Sequence, residues 1–211
     1  MVTKMAALVV MCLMLVNGTP APAHAQGQTV LFEDNFATLD PTWSNPGNNL
    51  TVKENKLLLT TEKDMCRFTL YKGTTFGDMD FQVTAQFAQK IEGVPNAVGI
   101  IFWADDFQNY YCFDMIPDGR ACVRRKVKGN SLLPVPVAKT EATNKDPQAA
   151  NVLRVVTKGK QVTCYINNKE VATLKGRPPE DGGMIGFLGC ADSETAKSTT
   201  WELSNLKVTT P

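Results

Sequence analysis

Hydrophobic and polar positions alternate with a period of two along most of this chain. Phe81, Val83, Ala85 and Phe87 alternate with Gln82, Thr84 and Gln86, the pattern of a strand with one buried and one wetted face. Residues 98–103 form a short apolar run, bounded by Pro95-Asn96 before it and Asp105-Asp106 after it. Residues 109–115 and 120–127 are aromatic and β-branched runs joined through Ile116-Pro117-Asp118-Gly119. Pro presets φ at the turn and Gly accepts a positive one, so the pair reads as a hairpin. Residues 152–157 and 161–166 flank Lys158-Gly159-Lys160, and Asn167-Asn168 turns the chain into residues 170–174. Residues 184–188 and 200–208 close the series, while 30–32 and 50–60 open it.

Ten or so short strands at this spacing, with no sustained 3.6-residue stripe, predict an all-β protein. The apolar face of each strand must leave water, worth about 25 cal/mol per Å² buried. With no helix to cover those faces, sheet packs on sheet. The expectation is a two-sheet antiparallel sandwich forming one domain over residues 26–211, with residues 128–151 as a long irregular loop.

Residues 1–25 carry the three parts of a secretory signal. Lys4 gives the positive start, residues 5–16 an unbroken apolar run, and Ala23-His24-Ala25 a small-x-small cleavage site. Twelve residues at 1.5 Å reach about 18 Å, short of a hydrocarbon core of about 30 Å. The expected mature chain begins at Gln26, secreted or periplasmic, with no membrane insertion after cleavage. Basic and acidic side chains number 22 and 21 over the whole sequence, a balance that predicts no nucleic-acid partner. Arg124, Arg125 and Lys126 form no continuous patch, because alternation sends Arg125 to the opposite face from the other two. The only histidine is His24, in the leader, which removes Ser-His-Asp triads and Cys-His dyads from the mature chain. Export also permits disulfides. Among Cys66, Cys112, Cys122, Cys164 and Cys190, the hairpin suggests a Cys112–Cys122 bridge, with buried free thiols as the alternative.

Several motifs resemble the concanavalin A-like lectin/glucanase group, which includes laminin G-like domains. Leu31-Phe32-Glu33-Asp34-Asn35-Phe36 followed by Trp43 is similar to its opening strand. The strand at residues 76–87, the meander from Ala97 through Asn109-Tyr110-Tyr111 to Asp118-Gly119, and the runs at 151–156, 162–168, 183–187 and 205–208 follow in the group's order. The bacterial 3-keto-disaccharide hydrolase domain is the look-alike within that group. Where it carries E-F-R and N-S-G-I-hydrophobic-x-R, this chain reads Gln86-Phe87-Ala88 and Asn96-Ala97-Val98-Gly99-Ile100-Ile101-Phe102. The resemblance implies a jelly-roll sandwich and a carbohydrate or glycoconjugate partner. It also implies a structural calcium, for which Glu33, Asp34 and Asn205 are the candidate ligands on the first and last strands.

Paired carboxylates are the usual machinery of glycoside hydrolysis, but the E-x-D-x-x-E string of the related glucanases is missing. Glu62/Asp64 and Asp78/Asp80 have i,i+2 spacing, and Asp78 and Asp80 read as turn and strand-start residues. An aromatic and acidic cluster is the better candidate, since sugars stack on rings while neighbouring polar groups take their hydroxyls. It comprises Trp103, Asp105, Asp106, Asn109 and Tyr110, with Asp114 and Arg124 on a shared face through the hairpin. The expected function is a surface-interaction or carbohydrate-binding module without catalysis; the alternative is a hydrolase of the 3-keto-disaccharide type. The sequon Asn49-Leu50-Thr51 is expected in an exposed loop.

Overall fold

A computed structural model describes residues 28–44, 47–88, 96–146, 148–191 and 198–211. The leader and its cleavage site lie outside the described residues. All fourteen strands among the described residues pair antiparallel, and no helix occurs among them.

The first sheet contains β1 (Val30–Asp34), β2 (Leu50–Lys53), β3 (Lys56–Thr61), β5 (Met79–Phe87), β10 (Asn151–Lys158), β11 (Gln161–Ile166), β12 (Lys169–Lys175) and β14 (Thr199–Thr209). Its order is β12-β11-β10-β5-β14-β3-β2, and β1 pairs with the far half of β14. The second sheet contains β4 (Cys66–Leu70), β6 (Ala97–Asp106), β7 (Asn109–Ile116), β8 (Arg120–Val127), β9 (Asn130–Lys139) and β13 (Met184–Cys190), in the order β4-β13-β6-β7-β8-β9. The inward residues of both sheets, such as Phe81, Val83 and Leu203 from one and Ile100, Phe113 and Phe187 from the other, form one continuous core. The expected sandwich is therefore present, and its cause is the period-two alternation.

The opening motif acquires a physical meaning here. Asp34 accepts a hydrogen bond from the Phe36 amide at 2.8 Å and from Trp43 Nε1 at 3.0 Å. One carboxylate thus turns the chain after β1 and seats the Trp43 ring against Phe187.

Four sequence expectations change. The region read as a loop at 128–151 contains β9, an edge strand that accommodates Pro134 and Pro136 because one side of an edge needs no donors. The run at 50–60 is two strands, split at Glu54-Asn55, both with positive φ. The disulfide joins Cys66 to Cys190, directly opposed on β4 and β13, whereas Cys112 and Cys122 are free and buried. The β7–β8 register explains this correction, since Cys112 faces Arg124 and Cys122 faces Asp114. Asn49 of the sequon is also buried rather than exposed.

Candidate functional site

The outward faces of the two sheets differ. On the first sheet, Asp80 is clamped by Arg154, whose Nε reaches Oδ1 at 2.7 Å and Nη2 reaches Oδ2 at 2.5 Å. On the second, Arg124 clamps Asp114 in the same bidentate way, at 2.5 and 2.8 Å. This is the shared face that the hairpin alternation predicts for the pair. Burial works against the Arg124 charge, but the hydrogen bonds and charge of Asp114 outweigh it and raise the guanidinium above its ordinary range.

Two thiols complete that cluster. Cys112 donates to Asp114 Oδ1 at 3.2 Å and Cys122 to Oδ2 at 3.6 Å. Burial, reinforced by the Asp114 charge, pushes Cys112 well above the ordinary thiol range and Cys122 up to about 12. A nucleophilic cysteine needs the opposite shift, so these thiols are structural. Tyr110 packs beside Cys112 in a small apolar cluster with Leu70, Ile101 and Leu188. Burial, then the neighbouring Cys112, raises its phenol to about 12.

Trp103 is not an exposed sugar platform; it is 2% exposed. Its positive φ marks a bulge that turns both Phe102 and Trp103 inward, with Trp103 edge-on to Tyr111 at 5.6 Å. Gly183 makes the seat for it, because a Cβ there would lie 2.5 Å from Trp103 Cα. Asp106 is a turn residue, accepting from the Gln108 amide at 2.6 Å and from Asn109 Nδ2 at 3.0 Å. The Asp78 carboxylate likewise holds the Gly159 amide at 2.7 Å.

Part of the predicted cluster does converge. Trp103, Asp105, Asn109 and Tyr110 line one cavity of about 240 Å³ at an end of the sandwich. Asp114 and Arg124 lie outside it. Tyr111, Arg125 and Arg177 are shared with an adjoining cavity of about 360 Å³, making one groove. Its basic residues, Arg125, Lys126, Lys175 and Arg177, were not singled out as a site from the sequence. Alternation already separates Arg125 from Arg124, but nothing local brings Arg177 from after β12 to the end of β8.

Glu33, Asp34 and Asn205 also converge, on a cavity of about 690 Å³ beside Gln82 and Lys207. A calcium ion takes six to eight oxygens, and two of the three candidate side chains are already engaged in hydrogen bonds. Both Asp34 oxygens already accept hydrogen bonds, and Asn205 donates its amide to Thr84. Among the described residues, no three His, Cys, Asp or Glu side chains are grouped as metal ligands.

A family model described as the 3-keto-alpha-glucoside-1,2-lyase-like domain matches residues 27–200. The chain belongs to this family. No curated protein matches it in sequence. Among solved structures, it is similar to the carbohydrate binding module CBM66 from Bacillus subtilis, with a TM-score of 0.58 at 14% identity, covering 84% of this chain and 97% of that one. The Bacillus licheniformis beta-glucanase gives 0.62 at 10% identity, covering 89% and 99%. An endo-β-galactosidase from Clostridium perfringens that releases GlcNAcα1-4Gal gives 0.64 at 12% identity, covering 92% and 65%. At these identities the likeness concerns the fold: family and neighbours share the concanavalin A-like jelly roll.

Proposed function

We propose that the domain is an exported carbohydrate-binding module, secreted or periplasmic, that acts without catalysis of its own. The observation that carries this reading is the content of the end groove, where Asp105 is the single carboxylate among the described residues that line it. Two-carboxylate glycoside cleavage needs a second acid about 5–9.5 Å away. The two buried candidates elsewhere, Asp80 and Asp114, spend both oxygens on arginines. Export rests on the signal pattern at residues 1–25.

Calorimetry of the mature chain against a panel of oligosaccharides tests the proposal. Binding to at least one sugar, weakened about tenfold or more by Arg177→Ala, supports it. No affinity across the panel rejects it. Trp103→Ala is a poor probe, because its indole is core.

The family match favours a second reading, cleavage of a 3-keto-glycoside. A ketone at C3 acidifies the C2 proton, so a base can take it as the C1–O bond breaks, forming a C1=C2 double bond conjugated to the ketone and releasing an alkoxide that takes a proton from water. Asp105 is the carboxylate available in the groove for that role. Turnover of 3-keto-α-glucosides that collapses in Asp105→Asn would establish this reading and displace the non-catalytic one.

A further inference from the structure

We infer that the end groove takes an anionic glycan, one whose sugars carry carboxylate or sulfate groups, in preference to a neutral one. The inference rests on the carbohydrate-binding reading above and names its substrate class.

The argument begins with charge. Arg125, Lys126, Lys175 and Arg177 line the two cavities, against Asp105 alone among the described residues. None of the four cations has an ion-pair partner among the described residues. The contrast with Arg124 and Arg154 is direct, since each of those is spent on a buried aspartate. In a chain whose charges nearly balance, four uncommitted cations around one groove form a local positive field.

The second observation is preorganisation. Tyr111, buried in the wall, holds both arginines. Its ring lies under Arg125, with Cζ 5.1 Å from the ring centroid, and its hydroxyl accepts the Arg177 backbone amide at 3.0 Å. On the next residue, Lys126 sits over the Tyr110 ring at 5.9 Å. The Arg125 guanidinium has no ion-pair partner among the described residues, and its fork matches a carboxylate or sulfate two bonds at a time. Holding the backbone beside such a group lowers the ordering cost of binding.

The third observation is apolar. Leu132 and Leu133 are 51% and 53% exposed and line the same cavity with Pro134. A sugar ring offers one apolar C–H face, which these side chains can cover while its acidic substituent reaches the arginines. A purely electrostatic site has no use for that shelf.

Affinity electrophoresis and calorimetry of the mature protein distinguish the outcomes. Polygalacturonate is compared with its fully methyl-esterified form, and dextran sulfate with dextran, in low salt and at about 0.3 M NaCl. The expected result is at least tenfold tighter binding of the charged member of one pair. That binding should weaken by about tenfold in salt and by a similar factor in Arg125→Ala and Arg177→Ala. Lys53→Ala, on an exposed side chain paired with Glu54, serves as the unaffected control. Melting curves of each variant separate lost binding from lost fold, and Arg125→Lys, which keeps charge but not the fork, should recover only part of the affinity. Equal affinity for charged and neutral members overturns the inference and leaves carbohydrate binding standing. Equal affinity for poly-L-glutamate overturns it in favour of indiscriminate polyanion capture. Silence toward every glycan removes the underlying reading with it.

Discussion

A single carboxylate, Asp114, organises four side chains on the outward face of β7 and β8. Arg124 supplies charge-assisted hydrogen bonds, two thiols donate to the same oxygens, and Tyr110 packs beside them. Burying a carboxylate is tolerable only because each oxygen has partners. The consequence is measurable. In native mature protein, Cys112, Cys122 and Cys164 should resist a thiol reagent at pH 8, and three should react once urea is added without reductant. The pH dependence follows from linkage. A thiol with an ordinary value of 9.0 when unfolded and about 12 when folded, as at Cys122, keeps its proton longer in the native state. Stability from this source is intact below about pH 9 and is lost as pH rises toward 12. Urea midpoints should therefore fall across that window, and less steeply in Cys122→Ser. Unchanged midpoints would contradict the shift.

At the scale of an element, β9 shows how an exposed edge is kept from pairing with other chains. Leu132, Leu133 and Val137 are all exposed along it, and an uninterrupted edge of that kind invites another strand. Pro134 and Pro136 remove two donors, and the register with β8 breaks on both sides of Val123. Replacing both prolines with valine should shift the protein toward dimers and larger species, read by light scattering at increasing concentration. An unchanged scattering profile would show that something other than proline blocks the edge. The same element walls the groove, so on the proposed reading its apolar side chains meet the sugar while its prolines restrain the risk.

Across the whole molecule, the two chain-distant strands β4 and β13 are neighbours, and the Cys66–Cys190 bridge crosses 124 residues of sequence. Closing so long a loop in the unfolded chain removes much of its entropy, and losing a native bridge from a small domain costs about 2–5 kcal/mol. Cys66→Ser should lower the urea-unfolding free energy by that amount with little change in groove affinity, because the bridge and the groove lie on different elements. A loss of affinity equal to the loss of stability would link the two instead. The groove is itself a product of assembly, drawn from the ends of β6, β7 and β8, from β9, and from the segment after β12.

Period-two alternation determined the strands and the sandwich, because a strand's faces are set by its own residues and only another sheet can cover them. The opening Phe-x-Asp-x-Phe motif and the Pro-Asp-Gly hairpin were equally local, and both were legible. Tertiary structure alone decided the rest. Which cysteines bridge depends on the register of strands 124 residues apart. Whether Trp103 faces water depends on one bulge and a glycine about 80 positions later. The basic groove depends on Arg177 meeting Arg125 across Tyr111. Each is a contact between distant segments, and alternation along a strand carries no information about which strand comes to lie beside it.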